Sequence, residues 1–347
     1  MPTIWWRDGT VETIDQTRLP HEEVTVTLKN CNDVVDAIKT MKIRGAPLLG
    51  AAAAFALALT AYGTHAHTRK QFISELENAA ETIKSTRPTA VNLFWAVDRI
   101  LNKAKTAEGT PPQLAALVIR EAQKIAEEDV LVNRSIGQQG ARLIHNGDTV
   151  LTHCNAGALA TVDHGTALGV LRTAWKQGKR FKVFADETRP LLQGARLTAY
   201  ELKREGIPVT LITDSMVGYV MSKSLVDSVI VGADRIVRDA VINKIGTYTV
   251  AVVAGKHHVP LYVAAPKSTF DTEHVSSDIL IEQRSPDEVT HLGKQRIAAE
   301  GVDVLNPAFD ITPLKLVSAI ICETGILRRK DFAELNRYKR RRAKPAK

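Results

Sequence analysis

From residue 149 onward, short apolar runs alternate with helical stretches, and no other feature limits the possible folds so strongly. The runs cover residues 149–152, 181–185, 209–213, 228–231 and 260–264, and most are followed by apolar residues at three- and four-residue spacing. Runs this short and this apolar fit strands buried on both faces, and the helical stretches between them fit crossover helices of a parallel sheet. Open sheets of that kind bind ligands beyond the carboxyl ends of their strands. The residues at those ends are polar: His153-Cys154-Asn155, Asp186-Glu187-Thr188-Arg189, Asp214-Ser215 and Asp234-Arg235. Any one of these sets reads equally well as a helix cap or a turn. Four on one edge read as a site.

Upstream the pattern differs. Residues 22–28 alternate apolar and polar, as strands of a small antiparallel meander do. Residues 33–41, 48–62, 70–85, 90–106 and 113–144 carry helical spacing, broken by Gly, Pro and Thr. The expected fold class is therefore α/β. It places a β meander and helical domain over residues 1–125, and a doubly wound, Rossmann-like parallel sheet over residues 126–347, with a basic tail from about residue 328.

The net charge of +8 raises nucleic acid as a partner, but its location decides the matter. Residues 328–347 hold ten Lys/Arg and two Asp/Glu, which leaves 36 of each sign in the first 327 residues. The body is neutral. The run Lys339-Arg340-Arg341-Arg342 offers at most a weak electrostatic contact, and terminal blocks of this kind are ordinarily solvated. The longest apolar stretch, residues 46–61, is shorter than the roughly 20 residues that span a bilayer. Arg7, Asp8, Glu12 and Asp15 interrupt any early apolar run of the signal-peptide type. Three cysteines without a CxxC pair make neither a disulfide framework nor a zinc site. A cytoplasmic protein is the expectation.

Within the polar edge, Cys154 follows a strand and precedes the small residues Ala156-Gly157-Ala158, where a helix N-terminus or amide nest would depress a thiol pKa. A buried, inert cysteine is the competing reading, and the one that suits Cys31 and Cys322. Asp234 leaves an apolar strand end, where desolvation favours a protonated acid, unless it caps a helix or pairs with Arg235. Asn243-Lys244 presents an amide and an ammonium suited to phosphate or sugar hydroxyls. Arg44-Gly45-Ala46-Pro47 opens an alanine-rich helix whose first amides, aided by Arg44, make an anion site. Arg87-Pro88-Thr89 precedes another helix in the same way. No GxGxxG or GxxxxGK[ST] pattern is present.

Six blocks in order carry a resemblance over nearly the whole chain. They are Arg44-Gly45-Ala46-Pro47, Arg87-Pro88-Thr89-Ala90-Val91-Asn92-Leu93, residues 152–161 (THCNAGALAT), residues 185–198, Gly232-Ala233-Asp234-Arg235-Ile236 and Asn243-Lys244-Ile245-Gly246-Thr247-Tyr248. The chain resembles the methylthioribose-1-phosphate isomerases, in the superfamily of the regulatory subunits of translation initiation factor 2B. The resemblance implies Cys154 and Asp234 as the catalytic pair. It implies Arg44, Gly45, Ala46, Arg87, Gln193, Asn243 and Lys244 as substrate-binding residues. Where the family often has an Asn-Gly-Asp turn, residues 237–241 (VRDAV) form a segment one residue shorter, as in archaeal-type members.

The reaction so implied belongs to methionine salvage and turns a 5-methylthio-ribose 1-phosphate into the ribulose 1-phosphate. The 1-phosphate blocks hemiacetal opening, so an acid must protonate the ring oxygen as its bond to C1 breaks, a role for Asp234. Hydrogen then moves from C2 to C1, as a proton relayed by Cys154 or as a hydride. Neither route demands a metal or cofactor, and no HxxxH or paired-carboxylate helix offers metal ligands. Two alternatives remain: a ribose-1,5-bisphosphate isomerase and a non-catalytic initiation-factor-like subunit. A homodimer is the implied assembly.

Overall fold

The structure, a computed structural model of the 347-residue chain, describes residues 2–87 and 90–332. Pro88, Thr89 and the basic tail beyond Phe332 lie outside the described residues. The chain divides into two compact units, one of residues 1–135 and 156–169, the other of residues 136–155 and 170–347.

The first unit opens with an antiparallel meander, β1 (Ile4–Arg7), β2 (Thr10–Ile14) and β3 (Thr25–Leu28), whose register pairs Trp5 with Glu12 and Thr13 with Val26. Helices follow as α1 (Cys31–Lys39), α2 (Ala46–Tyr62), α3 (Arg69–Thr86), α4 (Val91–Thr106) and α5 (Pro111–Gly140). Local chemistry sets their starts. Asn30 accepts the Asp33 amide at 3.0 Å ahead of α1, and Thr68 with Gln71 forms a capping box at α3. Helix α2 is apolar on all sides and almost wholly buried, as the central helix of a bundle must be. Its small residues permit close approach: a Cβ on Gly50 would stand 3.0 Å from the Asn92 carbonyl oxygen of α4. Phe72, Leu76, Ala80 and Ile83 of α3 and Leu93, Val97 and Ile100 of α4 face the same core.

The excursion 156–169 joins this unit through the meander. Thr3 donates its amide to the Val162 carbonyl (2.8 Å) and its hydroxyl to the Ala158 carbonyl (2.7 Å), and the Gln16 amide reaches the Leu159 carbonyl (2.7 Å). The Val162 amide donates to Asp129 of α5 at 2.8 Å. Burial pushes the Asp129 carboxyl up to about 7, with the charge of Asp163 adding to it. Because the folded state holds this proton more tightly than an unfolded chain does, its contribution is present at low pH and is lost as pH rises through about 7. Asp129→Asn keeps an acceptor for the Val162 amide and carries no charge. Thermal melts at pH 5 and pH 8 are expected to show a smaller decline for the variant than for the wild type, and equal declines would refute the assignment.

In the second unit β4 (Thr149–Thr152), β5 (Lys182–Asp186), β6 (Val209–Ile212), β7 (Ser228–Val231), β8 (Arg235–Ile236), β9 (Ala240–Lys244), β10 (Leu261–Ala264), β11 (His291–Leu292), β12 (Gln295–Arg296), β13 (Phe309–Pro313), β14 (Ala319–Cys322) and β15 (Gly325–Arg328) build three sheets. The main sheet runs β15-β14-β10-β7-β4-β5-β6, parallel except for β15. Its six parallel strands stand in the order third, second, first, fourth, fifth, sixth, the doubly wound arrangement, and the order reverses between β4 and β7. Helices α6 (Ala167–Lys176), α7 (Ala199–Arg204), α8 (Val217–Ser222) and α9 (Thr247–Lys256) lie between strands in the chain. Strands β7 and β14 are buried along their whole length, as strands covered on both faces must be.

A second, antiparallel sheet, β13-β9-β8, was not legible in the sequence. Asn243 and Lys244 end its strand β9, with Asn243 paired to Asp310. No helix starts directly behind Cys154. The chain makes a short 3-10 turn at Ala158–Ala160, and α6 begins only at Ala167. The reason is tertiary, since the intervening carbonyls are taken by Thr3 and Gln16.

Candidate active site

Cys154 and Asp234 leave the carboxyl ends of β4 and β7, adjacent parallel strands in which Leu151 faces Val229. These are the two strands at which the order of the sheet reverses, where such sheets place their ligands. Cys154 is half-buried with φ +63°, a left-handed conformation that a non-glycine residue keeps only when its surroundings hold it. They do. Its amide donates to Thr188 Oγ1 (2.9 Å), and its carbonyl accepts from Thr198 Oγ1 (2.6 Å). Beneath it, buried Asn155 donates to Thr198 and to Glu201 Oε1 (3.0 Å), and Glu201 pairs with buried Arg172 at 3.1 Å. Half-buried Asp234 donates its amide to the Ile242 carbonyl (3.0 Å), which joins it to β9, while its neighbour Arg235 faces Asp271 at 3.5 Å.

Gln193 is buried at the end of the turn after β5, and its Oε1 has no hydrogen-bond partner. Buried Asn243 donates to Thr247 Oγ1 (3.0 Å), and buried Lys244 stands with its Nζ 5.3 Å from the centre of the Phe309 ring. Helix α9 has Gly246 at its N-cap, which has no side chain to cap with. Asp310 of β13 does so instead, its Oδ2 accepting from Gly246 (2.7 Å) and Tyr248 (3.0 Å). Its Oδ1 is buried without a partner, and burial pushes its pKa up. Asp310 escaped sequence analysis because its role depends on register with a strand more than sixty residues away; the alternation at 309–313 was the available signal.

In the first unit, Arg44 is buried, not solvent-facing, and donates through Nε to Gln16 Oε1 at 2.7 Å. Gly45 stands at φ +100° before α2, and a Cβ there would lie 2.6 Å from the Ala160 Cα, so glycine alone suits the position. No side chain caps the helix, which begins at Ala46 and Pro47, and a helix start of this kind is where anions bind. Arg87 ends α3 and approaches the Met41 sulfur at 3.9 Å.

His153, Asp186 and Asp214 offer ligand atoms within 4.8 Å of one another, a spacing a metal could use. Their atoms are already committed. His153 bonds Asp186 and the Ile245 carbonyl, and Asp214 accepts the amides of Thr188 and Arg189, both at 2.7 Å.

Comparison with known proteins finds similarity over most of the chain. The profile of the Initiation factor 2 subunit family matches residues 42–329. A relative from Pelotomaculum thermopropionicum, named methylthioribose-1-phosphate isomerase, is 52% identical over 343 residues, 96% of this chain and 94% of its own. The crystal structure of 5-methylthioribose 1-phosphate isomerase from Pyrococcus horikoshii superposes with TM-score 0.89 at 44% identity, covering 96% of this chain and 95% of that one. The crystal structure of a protein from A. fulgidus, named translation initiation factor eIF-2B, subunit delta, superposes with TM-score 0.86 at 52% identity, covering 97% and 100%. A doubly wound sheet, a polar edge at its point of reversal and a match along nearly the full length leave one classification: the chain belongs to the initiation factor 2 subunit family.

Proposed function

We infer that the chain is an aldose-ketose isomerase that converts 5-methylthio-D-ribose 1-phosphate to 5-methylthio-D-ribulose 1-phosphate, a step of methionine salvage. The names of relatives at about half identity support this. The observation that carries it is the emergence of Cys154 and Asp234 from the two strands flanking the reversal of the sheet. In this reading Asp234 protonates the ring oxygen as the C1–O bond breaks, and Cys154 serves the hydrogen transfer between C2 and C1. The substrate-binding residues that the family resemblance implies are Arg44, Gly45, Ala46, Arg87, Gln193, Asn243 and Lys244. Incubation of purified protein with the methylthio sugar phosphate is expected to yield a ketose, and its absence sinks the reading.

Arg44 with the amides of Gly45 and Ala46 makes a charge-assisted phosphate contact. Arg44→Ala is expected to raise KM at least about tenfold with kcat less affected, as loss of a hydrogen bond to a charged group does. Equal inhibition of wild type and variant by inorganic phosphate would show the assignment to be wrong.

A second reading, a non-catalytic initiation-factor-like subunit, draws on the likeness to the A. fulgidus protein named as a subunit of eIF-2B. The same assay separates the two, since such a subunit forms no ketose.

Two further properties follow from the same reading. In this reading the enzyme is cytoplasmic, as its few cysteines without a CxxC pair suggest; no helix among the described residues is long and apolar enough to cross a membrane. Exposed Tyr219 on α8 and Tyr248 and Val252 on α9, which packs against α8, supply an apolar aromatic face of the kind interfaces use. Its occupant is a second copy of this chain. Light scattering is expected to give twice 38.0 kDa, and Tyr219→Glu to shift the mass toward the monomer. A monomer mass for the wild type at micromolar concentration overturns this.

A further inference from the structure

We propose that His153 is a doubly protonated strut, a positioning residue that ties the strand end carrying Cys154 to the strand end carrying Asn243 and Lys244. Its placing rests on the isomerase reading only for what is being positioned. The geometry stands apart from that reading.

The ring is buried, and both of its nitrogens are engaged. Nδ1 lies 2.7 Å from Asp186 Oδ2 and 2.9 Å from Oδ1, while Nε2 lies 2.8 Å from the Ile245 carbonyl oxygen. A carbonyl oxygen can only accept. As a carboxylate Asp186 accepts as well, and the Thr188 hydroxyl also donates to its Oδ1 at 2.9 Å. Against an ionised Asp186 a neutral imidazole, with one N–H, would turn a lone pair toward an oxygen lone pair, a buried repulsion without compensation. Two N–H donors satisfy every atom, and the buried carboxylate of Asp186 balances the charge. Burial works against the charged ring, but the charge and hydrogen bonds of Asp186 and the bond to Ile245 outweigh it, so its pKa lies above the ordinary histidine value.

Three segments distant in sequence meet on this ring: the end of β4, the end of β5 and the residue after β9. His153 precedes Cys154 directly, and Ile245 follows Lys244 directly, so the ring holds the peptide beside each functional residue. A second feature demands the same placement. Gly246 stands at φ +104°, and a Cβ there would be 2.7 Å from His153 Cε1, so only glycine lets the ring lie against this turn. Asp186 reaches Cys154 by another path, because the Thr188 hydroxyl that donates to Asp186 accepts the Cys154 amide.

The two arms can be separated. In His153→Asn the side-chain amide can replace the Nδ1 donor toward Asp186 but not the bond to Ile245, while in His153→Gln it can reach Ile245 in place of Nε2. The Asn variant is expected to raise KM for the sugar phosphate about tenfold or more, with Gln recovering most of that loss, when rates are taken per folded enzyme from melting controls. Equal kcat and KM for both variants and the wild type, with only melting temperatures lowered, would make His153 purely structural. The wild type supplies a measurement free of any folding failure. In protein labelled with 15N-histidine, both ring nitrogens of His153 are expected at protonated shifts, unchanged between pH 6 and 9, whereas one nitrogen at the unprotonated shift overturns the proposal. If the wild type forms no ketose, the isomerase reading fails, and the nitrogen shifts still decide the strut.

Discussion

Asp234→Asn is expected to lower kcat by about 10²–10⁴ while the dissociation constant for the sugar phosphate stays within a few-fold of the wild type. The substitution keeps the shape of the side chain and an acceptor oxygen, and the bond from its amide to the Ile242 carbonyl, which ties it to β9, is made by backbone and is kept. On the proposed reading, what goes is an acid for the ring oxygen. Cys154→Ser should follow the same pattern, because it replaces an ionisable thiol with a hydroxyl in a backbone conformation already clamped by Thr188 and Thr198. The other two cysteines are internal controls. Burial pushes the Cys31 thiol up, which keeps it protonated, and Cys322 is buried in β14 with its sulfur 3.3 Å from Thr324 Oγ1. Cys31→Ser and Cys322→Ser should therefore retain turnover per folded enzyme. An Asp234→Asn enzyme that works at nearly the wild-type rate, or full activity after alkylation of Cys154, defeats the assignment of the pair.

Glu201→Ala carries the largest expected cost in stability. Glu201 and Arg172 are almost wholly buried, and removing one partner of a buried pair leaves the other charge without compensation, typically at about 3–5 kcal/mol. Glu205, whose carboxylate lies 2.5 Å from Arg172 Nε, stays in place, so the lower end of that range applies. For a unit of this size, about 3 kcal/mol corresponds to a fall in Tm of roughly 6–12 °C. Glu201→Gln should lose less, since it keeps the side-chain volume and its one amide oxygen can still accept from either Asn155 or Arg172, which bond different carboxylate oxygens in the wild type. Activity is expected to suffer beyond the loss of folded protein, because the chain Arg172, Glu201, Asn155, Thr198 ends at the Cys154 carbonyl. A Tm within about 2 °C of the wild type for the Ala variant would show that Arg172 finds full compensation elsewhere.

The local elements were open to reading from the chain alone because each reports burial at short range. Apolar runs at 149–152 and 228–231 mark strands covered on both faces, and observed β4 and β7 occupy those residues. The stripe Phe72, Leu76, Ala80 and Ile83 marks a helix with one buried face. The polar residues behind the strands announced a site for a related reason: parallel strands with helical crossovers all end on one side. Tertiary structure decided the rest, and in each case the deciding partner is remote. His153 meets Asp186 and Ile245, 33 and 92 residues away, and Asp310 caps α9 through the amide of Gly246, 64 residues before it. Asn243 and Lys244 lie on a strand because β13 pairs with it, and Arg44 is buried because Gln16 and the excursion at 156–169 close over it. Hydrophobic period records how one segment meets its surroundings, whereas register, trans-capping and buried hydrogen bonds depend on which segments those surroundings are, and that is settled only when the whole chain packs.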